Sequence, residues 1–222
     1  GLWLLALASG FTNVAFNWAV TVGDVVRVVL LFYLMPAWAL LLARWLLHEP
    51  ITRQALLRLA LAVIGVLLVL KTPNSPWPVP SSLADWLALG GGFTFALTNT
   101  LILKLDQTTD RARLFAMFVG GTLTALAVAA VGLWTQSIAP LPAISWELTL
   151  GVIGLAAFFL IGNLAMQYGA SRLKSSTTSL VMLTEIIFAS LSAVWLGAAV
   201  LEARVLLGAL FIFSAALWAA LA

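Results

Sequence analysis

Glu185 lies near the centre of a long apolar run. A bare carboxylate there costs about 2.5–3.5 kcal/mol on insertion scales, so something must offset the charge. Two chemistries fit: the carboxyl titrates or faces a substrate amine in a central cavity, or it stays protonated and bonds Thr184 or a neighbouring helix. Asn13 and Asn17 are four residues apart and share one helix face, as do Asn163 and Gln167. Asn99, between Thr98 and Thr100, is a further amide of this kind. Amides donate and accept hydrogen bonds without burying a charge. They could line a solute-binding cavity, or bond helix to helix for about 0.6 kcal/mol apiece.

Tyr33 and Trp38 flank Pro36, where a helix loses a backbone hydrogen bond and is expected to kink. Aromatics beside a kink could line a path for an amphipathic solute, or simply pack. Asp24 and Arg27, at i and i+3, could form a local ion pair that closes a gate; the alternative is a snorkelling arginine with an aspartate beside it. His48-Glu49 begins like a zinc-protease motif, but the sequence has one histidine and so cannot complete it. No metal and no cofactor are expected. An intramembrane enzyme would need a nucleophile–base pair or a carboxylate cluster, and the eight acids are dispersed. Gly90–Gly92, Gly120-Gly121, Gly151 and Gly154 lack the strand context of a phosphate loop and are expected at close helix crossings.

The elements that carry these residues follow from composition. Of 222 residues, 63% are hydrophobic and 9% charged, against about 45–50% and 25% in a soluble domain. Such a chain requires lipid as its solvent, where backbone groups must be paired within helices or a closed barrel. The apolar runs do not alternate and have the length of helices that cross about 30 Å of hydrocarbon. Eight spans are expected, at about 2–20, 25–46, 54–71, 84–104, 112–134, 148–168, 175–197 and 204–221. The longest loop, 71–85, holds four prolines; Ser82 and Asp85 then have capping-box spacing for the next span. The first residue falls inside an apolar run, so a preceding part is expected to be missing.

Eight Lys and Arg residues (Arg44, Arg53, Arg58, Lys104, Arg111, Arg113, Arg172, Lys174) fall on one face and three (Arg27, Lys71, Arg204) on the other. The richer face is expected to be cytoplasmic, with both chain ends. Most of the ten tryptophans fall near span ends, as interfacial anchors would. So few, scattered basic residues set topology and give no nucleic-acid surface. Residues 30–70 lie without a gap over 179–219, pairing Leu31, Leu34, Leu42, Leu47, Leu57, Leu61 and Leu68 with leucines. By the charge count the two copies run in opposite directions, the usual construction of secondary transporters.

The stretch FYLMPAWALLLARWLLHEPITRQALLRLALAVIGVLLVL resembles the fourth and fifth helices of an EamA-type repeat in the drug/metabolite transporter superfamily: a mid-helix proline, a short turn with glutamate, and a final helix with an internal glycine. TEIIFASLSAVWLGAAVLEARVLLGALFIFSAALWAAL is similar to the same part of the second repeat, without the proline after Glu185. The resemblance implies an all-α polytopic bundle with an inverted five-plus-five repeat, here without its first two helices. Residues 1–72 would be the last three helices of the first repeat, 73–83 a linker and 84–222 the second repeat. Tyr33-Leu34-Met35-Pro36 also resembles amino-acid exporters of the YddG type. The implied function is export of small metabolites, with amino acids, including aromatic ones, leading. The protein would be a monomer or weak homodimer in the bacterial inner membrane. The sequence offers no multi-arginine clamp for a phosphorylated solute. A non-transporting scaffold is the other class that fits.

Overall fold

The computed structural model describes residues 1–48, 50–71, 79–105, 107–140, 142–170, 188, 192, 195–197 and 202–221. Among these there is no strand. The helices are α1 (Leu2–Val22), α2 (Val25–Phe32), α3 (Met35–Leu42), α4 (Arg53–Leu70), α5 (Leu83–Lys104), α6 (Asp110–Trp134), α7 (Trp146–Ala170) and α8 (Ala203–Leu221). A π-helical turn, Ala43–Leu47, extends α3. Leu2–Val22, Val25–Leu47, Arg53–Leu70, Leu83–Lys104 and Asp110–Trp134 are long and apolar enough to cross a membrane; α7 and α8 contain shorter apolar stretches. The span expected at 175–197 lies almost wholly outside the described residues.

Short polar side chains start the helices. Thr52 accepts from the Ala55 N–H at 3.1 Å and Ser82 from that of Asp85 at 3.1 Å. The Asp85 carboxylate reaches back to the Ser81 N–H at 3.0 Å, a capping box displaced by one residue from the expected form. His48 ends the π turn in the left-handed region, at φ 59°.

The span expected at 25–46 is broken, but not at Pro36. The break falls at Tyr33 and Leu34, and Pro36 sits in the first turn of α3, where a missing N–H costs nothing. The carbonyl that a continuous helix would have paired with residue 36 belongs to Phe32. Gly92 of α5 lies against it: a Cβ there would stand 2.5 Å from the Phe32 oxygen, so the glycine Cα–H points at it instead.

α5 is the central helix. Ala84, Ala88, Gly92, Ala96 and Thr100 recur every fourth residue along its buried side, and α1, α2 and α3 pack on it. Small residues let backbones approach closely where lipid gives no hydrophobic drive to associate. The main core gathers Val26, Val28, Val29, Leu30 and Leu31 of α2 with Val66 and Val69 of α4 and Ile212 of α8. α4 and α8 cross at paired glycines: a Cβ on Gly65 would lie 2.7 Å from the Gly208 carbonyl oxygen, and the reverse is also true. The close-packing expectation fits Gly92 and Gly120; Gly151 and Gly154 have nothing within 4 Å among the described residues. The described side chains of α7, residues 146–162 and 165, are almost all exposed. Trp45, Trp86, Trp134 and Trp146 stand exposed near helix ends, where interfacial anchors belong.

Candidate functional site

The polar face of α1 opens onto a cavity of about 710 Å³ between α1, α6 and α7. Ser9, Asn13 and Asn17, one helical turn apart, supply its α1 wall. Met117, Phe118, Gly121 and Thr122 come from α6, and Ala156, Phe159 and Leu160 from α7. Asn13 and Asn17 also border a smaller adjoining cavity with Trp18. The α1 and α6 walls are held together at Gly10 and Gly120, where a methyl group on either residue would overlap backbone of the other helix. On its far side α1 is pinned to α5, where the Thr12 hydroxyl donates to that of Thr94 at 2.8 Å.

Hydrogen-bond geometry fixes how the amides face. Asn13 Nδ2 donates to the Ser9 carbonyl at 3.0 Å and Asn17 Nδ2 to the Asn13 carbonyl at 2.7 Å. A carbonyl only accepts, so the nitrogen must be on the helix side and each Oδ1 turns away from it. Ser9 and Thr122 likewise donate to backbone, to Met117 at 3.5 Å and Phe118 at 3.0 Å.

Other expected site residues are not gathered here. Tyr33 is buried and lines a separate cavity of about 320 Å³ between α3, α4 and α8. Trp38 packs edge-on against Phe93 at 5.5 Å, its indole N–H buried without a partner among the described residues. Asn99 is exposed on α5 and lines none of these cavities; its neighbours Thr98 and Thr100 are the buried ones. The helical period explains this, since Asn99 is off the small-residue ridge that carries Thr100. The side chains of Asn163 and Gln167, and all of Glu185, lie outside the described residues.

The local Asp24–Arg27 ion pair is replaced by a longer-range one. Asp24 caps α2, accepting from the Arg27 N–H at 2.8 Å. The Arg27 guanidinium instead reaches Asp85 in two parallel bonds, Nε to Oδ1 at 2.7 Å and Nη2 to Oδ2 at 2.9 Å. Its Nη1 donates to the Val69 carbonyl at 2.5 Å, at the C-terminal end of α4. Asp85 is 1% exposed and the Arg27 side chain 16%. A cation on helix C-terminal carbonyls and an anion in the first turn of α5 both suit the helix dipoles. In the sequence Asp85 presents itself only as a cap. The available signal was that Arg27, a guanidinium inside a span, needed a carboxylate on the same face.

Five such helices, and no strand, among the described residues make this a multi-pass membrane protein. Residues 1–71, which carry α1 to α4, match the model of the EamA-like transporter family. Neither the curated proteins nor the solved structures include a match to this chain.

Proposed function

We propose that this protein is a transporter that moves small solutes by alternating access around the cavity between α1, α6 and α7. The observation that carries this reading is a largely apolar cavity of about 710 Å³ between α1, α6 and α7, one side of which presents Ser9, Asn13 and Asn17. Transport sites in such bundles lie near the midplane between repeats, and solute pockets combine apolar walls with a few oriented polar groups. The family match over residues 1–71 supports the same class. In this reading the two inverted five-helix units rock against each other, with Asn163, Gln167 and Glu185 contributed by the second. The Arg27–Asp85 pair, between a helix of each unit, is the contact that holds one face closed. Amino acids and related amphipathic metabolites, including aromatic ones, are the proposed cargo, and export across the bacterial inner membrane is the proposed direction.

The test is flux of a radiolabelled amino-acid panel in liposomes that carry the full-length protein. Solute movement above that of empty vesicles is expected, and its absence for every solute would leave the scaffold reading standing. Flux that loses its pH dependence in Glu185→Gln assigns proton coupling to that carboxyl; an unaltered profile removes it from that role.

A further inference from the structure

We infer that the α1–α6–α7 cavity selects solutes by their N–H donors, so that its ligand class is organic amines and not organic anions. The inference rests on the transport site proposed above and names what that site accepts. It follows from where the wall spends its hydrogens. Ser9 and Thr122 each have one hydroxyl hydrogen, and both point at backbone carbonyls. Asn13 and Asn17 each commit an amide hydrogen to the carbonyl four residues earlier. Four side-chain oxygens then retain unused lone pairs, against one spare N–H on each amide.

The rest of the lining sharpens the preference. No Lys or Arg is among the described lining residues. An anion entering would lose its hydration and find neither a guanidinium nor a set of convergent donors to replace it. An ammonium group would find oxygen acceptors, with the rings of Phe118 and Phe159 in the same walls as π faces for a cation. The Gly121 position keeps the wall open beside Asn13: a Cβ there would meet only its Nδ2, at 4.0 Å. A zwitterionic amino acid meets the acceptors with its ammonium and has only the two spare amide N–H groups for its carboxylate. A decarboxylated amine of the same body makes no demand on those donors.

Three probes share one aromatic body and differ in charge: phenethylamine, phenylalanine and 3-phenylpropionate. Binding to the purified full-length protein, by calorimetry in detergent, is expected to be at least tenfold tighter for phenethylamine than for 3-phenylpropionate, with phenylalanine between. Asn17 is exposed, so its replacement leaves the packing intact. Asn17→Asp is expected to tighten phenethylamine several-fold. Asn17→Lys is expected to weaken it by a similar factor and to strengthen 3-phenylpropionate. Thr122→Val, which keeps the shape and removes one acceptor, is expected to weaken phenethylamine two- to fivefold. Equal or tighter binding of the anion, no binding of any probe, or a selectivity indifferent to Asn17→Lys would overturn the inference. Liposome flux separates it from the underlying reading: selective binding without flux defeats transport and keeps the ligand class, whereas flux without selectivity does the reverse.

Discussion

Removing the Asp85 carboxylate would leave the Arg27 guanidinium buried without its counter-charge, whereas removing that of Asp24 would cost only a helix cap. The two aspartates are close to the same arginine in space, yet their expected effects differ several-fold. Asp85→Ala is expected to destabilise the protein by about 3–5 kcal/mol, since breaking one half of a buried pair strands the other. Asp24→Ala should cost about 1 kcal/mol. Replacing both partners together, as Arg27→Met with Asp85→Leu, should recover most of the loss, because an apolar pair has no charge to desolvate. Denaturant unfolding of the purified protein in detergent measures all three. A larger loss for Asp24→Ala than for Asp85→Ala would show that the solution structure uses the local pair.

Among the elements, the glycines divide into those that hold a crossing and those that do not. Gly65→Ala would push a methyl group to 2.7 Å from both the Gly208 oxygen and Ile212 Cγ1, so α4 and α8 must separate. The expected cost is about 1–3 kcal/mol, read as a lower unfolding midpoint. Gly151→Ala meets nothing within 4 Å among the described residues and should instead stabilise α7 by roughly 0.5–1 kcal/mol. In sequence Gly120 and Gly151 carry the same expectation, because a glycine in an apolar run does not say which side its neighbour lies on. Capping was easier to read: Ser82 and Asp85 are local partners and form the box their spacing implies, displaced by one residue. The place of the break in the second span is hidden from the sequence for the opposite reason. A proline is as comfortable in a first turn as it is disruptive in mid-helix, and packing of Gly92 against the Phe32 carbonyl goes with the first choice. The π turn at Ala43–Leu47 has no signal in its residues at all.

At the scale of the whole molecule, apolar spans and the sorting of charge were the readable features. Arg27 bonds the end of α4 and the start of α5 on one face, and Glu202, before α8, is near enough to feel its charge. On the other face Arg113 donates to the Ile102 and Leu105 carbonyls at the end of α5. Asn13 and Asn17 were legible as one polar face because the helical period places them there; that Asn99 would turn away was not, since only tertiary packing decides which side of α5 is inside. Charge count assigns the Arg113 face to the cytoplasm, and these 222 residues hold no cysteine to compete with an introduced one. Gln107, between α5 and α6, and Ala139, after α6, are exposed at opposite ends of a helix of 25 residues. At 1.5 Å per residue that helix is about 37 Å long, enough to put the two positions in different aqueous compartments. A membrane-impermeant maleimide applied to intact cells should label Ala139→Cys and reach Gln107→Cys only after permeabilisation. The reverse pattern would invert the protein and make the Arg27–Asp85 pair a contact of the inner face, where it would close the cavity against the cytoplasm.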